Sequence, residues 1–329
     1  MAVTVRSFAK INLGLAIGGQ RSDHFHVLET IYQTIALHDV IKVEAARGNG
    51  IEIRCKNPRV PCDESNTCYR VADHMLHHWK QRAKVTITIE KNLPVQGGLG
   101  AGSSNAVATM FALERELKEP LPADDRLRIA AEVGSDLPLF LLGGTVLGLG
   151  RGEQIYPLED LPAIACVVVI PEVAVSTPQA FRDWDAFVES EAKVWKLTPP
   201  NGSVTLSKFN RSAFEWLSHL NNASGVPVDN VGNRAETPLL DLVRAGIEND
   251  FERVVFPQYP ELRDVKRVLE REGADYASLS GSGSAMYGLF RTRERAARAA
   301  ERMSAEGLAA IVTETLPRDK YRAQMFEKK

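Results

Sequence analysis

At the start of the chain Val3 and Val5, then Ile11, Leu13, Leu15 and Ile17, alternate with small or polar residues. That period of two predicts strands with one buried face. Ile31–Val43 continues it, Ile51–Arg54 reads as a short strand, and Lys84–Glu90 (KVTITIE) alternates cleanly. Helical spacing appears in Ser65–Lys80, where Val71, Ala72, Met75, Leu76 and Trp79 share one face and Asp63 or Ser65 can cap the start. It returns in Ser103–Leu117, through Ala106, Met110, Leu113 and Leu117, and in Asp124–Val133. Gly134–Pro138 predicts a break, and the Gly-punctuated Gly143–Gly152 leads to a buried-type strand, Ala163–Ile170.

In the second half, helical windows cover Pro178–Val188, Asp241–Asn249 and Tyr259–Glu272. Strands Tyr276–Leu279 and Ala285–Phe290 flank a Ser-Gly-Ser-Gly-Ser run, before a helix at Glu294–Ala305 and a closing strand at Ala309–Thr315. Lys196–Glu236 is polar and loop-like, with helical spacing in Ser212–Leu220. The order of elements predicts an α+β fold, without internal repeats and with a boundary near residues 153–163. A length of 329 residues fits about two cores, since single cores stop growing at roughly 250–300 residues.

Composition changes this picture mainly by exclusion. Lys and Arg total 40 against 42 Asp and Glu, a formal charge of −2, so no whole-chain field favours nucleic acid. The longest apolar stretches, Leu137–Gly150 and Ala163–Ile170, fall short of the ~20 residues of a membrane helix. The opening MAVTVRSFAK lacks an apolar signal core, so the cytoplasm is the expected location. Cys55, Cys62, Cys68 and Cys166 form no C-x-x-C pair and read as reduced thiols, and with His74, His77 and His78 they fit no zinc spacing.

Three segments carry candidate chemistry. Pro94–Ser104 (PVQGGLGAGSS) lies where a strand gives way to a helix. Glycines there allow close backbone approach, the helix start offers unpaired N–H groups to a phosphate, and Ser103 and Ser104 add hydroxyls. It is neither a Walker loop nor a dinucleotide fingerprint, since Ser103 stands where the third glycine would fall. Lys10 interrupts an apolar strand, and Asp136 sits between a helix and an apolar run. Each has a plainer reading, as a glycine turn, a snorkelling lysine and a turn-forming aspartate. Together, a carboxylate base, a lysine and a phosphate cradle are the parts of a small-molecule phosphotransferase. Ser278–Ser284 reads alone as a glycine-rich hairpin, and Gly148, Gly150 and Gly152 offer a further close-approach segment.

Taken together, these motifs resemble the GHMP kinase superfamily through Ala9-Lys10-Ile11-Asn12-Leu13, Pro94–Ser104 and Ser280–Ser284, in the right order. Within it the chain is similar to the branch acting on 4-diphosphocytidyl-2-C-methyl-D-erythritol, through Arg21–Ile35, Gly134–Pro138 and Ser176-Thr177-Pro178. The resemblance implies a ribosomal-S5-like α/β domain over residues 1–160 and a ferredoxin-like α+β domain over 161–329, with the active site in the cleft between them. It implies ATP and Mg2+, and transfer of the γ-phosphate to the 2-hydroxyl of the methylerythritol unit. Asp136 would take the hydroxyl proton and Lys10 would orient the attacking oxygen. Pro94, Gly97, Gly98, Leu99, Gly100, Ala101, Gly102, Ser103 and Ser104 would hold ATP. Asn12, Phe25, His26, Thr177, Phe181, Gly281, Ser282 and Gly283 would hold the cytidine diphosphate alcohol, with cytosine gripped by Phe25, Phe181 and His26. No metal ligand set is legible, and a monomer or homodimer is expected.

Two departures stand out. His24 replaces the glycine usual in the Asp-Gly-aromatic-His segment, so the loop is expected to sit differently, and residues 184–244 form an unusual insert. The same scaffold also suits homoserine or a mevalonate derivative as the alcohol, or ATP binding without catalysis.

Overall fold

The computed structural model describes residues 2–195 and 247–326. The insert beyond Trp195, including the helix expected at Ser212–Leu220, lies outside them. The first sheet is built on two long strands, β1 (Val3–Gln20) and β2 (His26–Ala46), paired antiparallel from Val3↔Val43 to Gln20↔His26. The other edge of β2 is shared. β4 (Lys84–Glu90) pairs with Val40–Ala46 and β5 (Thr145–Leu149) with Thr30–Gln33, while β3 (Gly50–Cys55) and β6 (Gln154–Pro157) extend the two ends. Helices α1 (Thr67–Trp79), α2 (Ala101–Leu117), α3 (Ala123–Val133) and α4 (Leu137–Leu142) join the first core with this sheet.

The second sheet runs β10 (Ala309–Glu314), β7 (Ala165–Ile170), β9 (Met286–Phe290), β8 (Tyr276–Leu279), all antiparallel. Its core is closed by α5 (Thr177–Trp195), α6 (Glu252–Gln258), α7 (Pro260–Arg271) and α8 (Arg293–Ala305). A third cluster joins the sheets: Ile11 and Leu13 of β1 and Ile31 and Ile35 of β2 pack with Val168, Tyr287 and Leu289. This is an α+β architecture in which β1 and β2 serve both cores. The last helix, α9 (Arg318–Met325), buries Tyr321 and Met325 in the first core, although it lies in the stretch expected to belong to the second domain.

Several local expectations need correction. Asn66, rather than Asp63 or Ser65, caps α1 by accepting from the Cys68 N–H at 2.9 Å, while Asp63 closes a turn on Ser65. The break ends at Asp136, because Pro138 enters the first turn of α4, where its missing N–H costs nothing. The helical window ending at Asn249 fails over its described part: Ile247–Asn249 is extended and Leu15 bridges Asn249. Three elements had no clear signal: β6 is four residues long, α6 contains Pro257, and α9 is mostly polar.

Candidate active site

The strand period places Lys10 and Asn12 on one face of β1, opposite Ile11 and Leu13. The Lys10 N–H donates to the Leu99 carbonyl at 3.0 Å, tying the strand to the glycine loop. That loop meets the Ser280–Ser284 loop directly: Ala285 N–H donates to the Gly97 carbonyl at 3.1 Å and the Ser280 hydroxyl to the Gly98 carbonyl at 2.9 Å. A Cβ on Gly98 would lie 1.9 Å from the Ser280 carbonyl oxygen, so no side chain fits there. Asn249 fixes the second loop, its amide donating to the Leu279 and Gly281 carbonyls at 2.9 and 2.8 Å. The Thr177 and Ser282 hydroxyls are 2.7 Å apart, which joins α5 to the same place.

Helix α2 begins after Gly100 with no side-chain cap and no acidic residue in its first turn, so its leading N–H groups and partial positive charge are open to an anion. Pro94, Leu99, Ala101, Gly102 and Ser103 line a cavity of about 360 Å³ at this end, together with Asn66 and Lys91. Ser104 is different. It is buried, donates to the Phe8 carbonyl at 2.6 Å and accepts from Ser7 at 2.7 Å, so its hydroxyl pins the helix to β1 instead of reaching a phosphate or metal.

Lys10 is 3% exposed, and its ammonium donates to Asn12 Oδ1 at 2.6 Å and lies 3.8 Å from Asp136 Oδ2. Burial lowers its pKa, partly opposed by the Asp136 charge. Asn12 is itself fixed: its amide donates to Thr30 Oγ1 at 2.8 Å, leaving Oδ1 to face the lysine. Asp136, at the start of α4, stays one-third exposed and accepts from the Tyr32 hydroxyl at 3.1 Å. Burial, then the Asp136 charge, pushes the Tyr32 phenol well above its usual range, so it remains a donor. Tyr32 has room because residue 152 is glycine, where a Cβ would lie 2.3 Å from the hydroxyl.

On the other wall, His26 is buried and stacks on Phe181 with centroids 4.9 Å apart at 11°, and Phe181 meets Phe251 edge-on at 5.0 Å. His26 Nε2 lies 2.7 Å from Asp185 Oδ1. Phe25 is 51% exposed under the Arg151 guanidinium, 4.9 Å from its ring. The three expected base-gripping residues therefore share a wall, but His26 covers part of the Phe181 face. His24 stands in the left-handed region with φ 65°, a region histidine enters more readily than most residues. The turn closes through Arg21 N–H to the Phe25 carbonyl at 2.7 Å.

One cavity of about 550 Å³ is lined by Lys10, Asn12, Asp136, Gly98, Gly100, Gly281 and Ser282, and equally by Phe25, His26, Thr177 and Phe181. Gly283 instead lines a smaller neighbouring cavity with Gly97. Sequence reasoning missed Tyr32, Arg151 and Asp185, which line the same cavity. Asp185 had a findable signal, since Thr177, Phe181 and Asp185 recur every four residues along one helix face.

The sequence pattern described as GHMP kinases N terminal domain matches residues 66–144, and that of the GHMP kinases C terminal matches 234–309. A 4-diphosphocytidyl-2-C-methyl-D-erythritol kinase of Solibacter usitatus is 35% identical over 319 residues, covering 97% of this chain and 90% of the relative. One of Acaryochloris marina is 32% identical over 90% of this chain and 89% of its own. A crystal structure of 4-(cytidine 5'-diphospho)-2C-methyl-D-erythritol kinase superposes with a TM-score of 0.71 at 29% identity, covering 95% of this chain and 98% of that one. Homoserine kinase of Cytophaga hutchinsonii, at 20% identity and a TM-score of 0.66, shares the fold. Motif order, architecture and whole-length similarity agree, and the chain belongs to the 4-diphosphocytidyl-2-C-methyl-D-erythritol kinase family of GHMP kinases.

Proposed function

We propose that the protein transfers the γ-phosphoryl group of ATP to the 2-hydroxyl of 4-diphosphocytidyl-2-C-methyl-D-erythritol, a step of non-mevalonate isoprenoid synthesis. The observation that carries this is the single cavity shared by the Lys10–Asp136 pair, the glycine loop and the Phe25, His26 and Phe181 wall. The ATP phosphates lie over the start of α2, where backbone N–H groups and the helix dipole meet their charge. The Asp136 carboxylate takes the 2-hydroxyl proton as the oxygen attacks the γ-phosphorus, and ADP departs. Lys10, 3.8 Å from Asp136, stabilises charge on the attacking oxygen. Base and alcohol meet in line because both loops that frame the phosphates are locked to β1.

Mg2+ fits as an ion carried by ATP. Among the described residues no group of three or more His, Cys, Asp or Glu is placed to hold a metal, and magnesium is commonly bound by substrate phosphates with one or two protein oxygens. Asp136 offers a carboxylate oxygen in the shared cavity that could meet such an ion, which would neutralise charge on the transferring phosphoryl group. Arg151 and Arg182 line the cavity and complement the substrate diphosphate.

The test is ADP release by purified protein with ATP and magnesium, comparing 4-diphosphocytidyl-2-C-methyl-D-erythritol with homoserine and phosphomevalonate. Turnover confined to the cytidyl alcohol is the expected result. Turnover confined to another alcohol overturns the substrate assignment and leaves the kinase scaffold standing.

A further inference from the structure

We infer that Asp185 sets the base specificity of the pocket by fixing the tautomer of His26, a reading that rests on the cytidyl substrate proposed above. An ionised carboxylate accepts hydrogen bonds and donates none, so the 2.7 Å contact between Asp185 Oδ1 and His26 Nε2 requires the hydrogen to sit on Nε2. In the neutral ring Nδ1 is then a lone-pair acceptor. Among the described residues Nδ1 has no hydrogen-bond partner, it is not one of the solvent-excluded unpartnered atoms, and His26 lines the cavity.

An acceptor on that wall pairs with the 4-amino group of cytosine and opposes the 4-carbonyl of uracil. Stacking and contacts to the diphosphate cannot make this distinction. The faces of Phe25 and Phe181 stack on either pyrimidine alike, and the cations at Arg151 and Arg182 meet a diphosphate that both nucleotides share. The ring itself is held. Phe181 stacks on it at 11° and Phe251 supports Phe181 from the side, so its hydrogen-bonding edge is fixed along with its tautomer. Phe181 and Asp185 are one turn apart on α5, so the stacking surface and the tautomer lock move as one unit. Asp185 is a positioning residue: its side chain is 46% exposed, and its effect on the base passes through His26.

The experiment compares wild-type protein and Asp185→Ala on the cytidyl substrate and on its uridyl analogue. In Asp185→Ala the ratio of kcat/KM values, cytidyl over uridyl, is expected to fall at least about 10-fold. The fall should come through KM for the cytidyl substrate, while kcat and KM for ATP stay within about twofold of wild type. Loss of a negative charge near the diphosphate strengthens both nucleotides equally, so the ratio isolates the base. An unchanged ratio overturns the inference. Nitrogen-15 NMR of wild-type His26 with the ring neutral supplies a second reading, with the hydrogen expected on Nε2; a hydrogen on Nδ1 overturns the inference whatever the kinetics show. Wild-type protein inactive on both nucleotides defeats the substrate assignment instead, and the NMR result still decides the tautomer.

Discussion

Lys10 and Asp136 are held 3.8 Å apart by neighbours that leave neither free to turn away. Asn12, itself anchored on Thr30, takes the lysine ammonium, and the Tyr32 phenol takes one carboxylate oxygen of Asp136. The second oxygen therefore faces the lysine, and one-third exposure leaves it reachable by a substrate hydroxyl. Replacing Asp136 by Asn keeps the shape and the Tyr32 contact but removes the proton acceptor. General-base removal costs about 10²–10⁴-fold, so kcat of Asp136→Asn should fall within that range while KM for ATP stays close to wild type. Steady-state kinetics under saturating ATP checks this, and a kcat within threefold of wild type would remove Asp136 as the base. Of these residues the sequence marked Lys10, Asn12 and Asp136 by motif. Tyr32 was invisible because its partner lies 104 positions away and its own surroundings look like any buried strand residue.

At the scale of elements, legibility tracked periodicity. β4 and β8 match the alternating segments residue for residue, and α7 differs from its window by one residue at each end. What failed was punctuation. Pro138 was expected to close a break yet lies within a short helix, and two polar side chains near α1 looked like better caps than Asn66. Asn66 wins because it alone satisfies both sides of the turn, donating to the Pro61 carbonyl at 2.6 Å while accepting from the Cys68 N–H. Loss of such a cap costs about 1 kcal/mol. Asn66→Ala should lower the unfolding free energy by that amount in urea melts. Because Asn66 also lines the cavity at the start of α2, the same variant should raise KM for ATP more than it lowers kcat. A variant with full stability would show that the α1 start is held by something other than this side chain.

At the scale of the molecule, residues near positions 10, 98, 136 and 281 meet because β1 and β2 belong to both cores. Sequence motifs named these positions, but their convergence depends on pairing between segments far apart in the chain, which no local period records. The same architecture puts Lys10 in the interior, and a buried ammonium opposes folding wherever it stays charged. Burial holds its pKa below the ordinary 10.5, with the Asp136 charge recovering part of the loss. Between the lowered value and 10.5 the unfolded chain binds more protons at this site than the folded protein, so stability contributed through Lys10 rises with pH across that window. Below the window the full desolvation penalty is present. Lys10→Met removes the titrating group and abolishes its pH dependence. The unfolding free energy of wild type minus that of Lys10→Met should therefore increase as the pH is raised from neutral toward 10.5, whatever its offset at neutral pH. Urea melts of the two proteins at matched pH values measure it. A difference that stays flat or declines would mean that Asp136 and Asn12 compensate the buried charge completely, and that catalytic placement of this lysine costs the fold nothing.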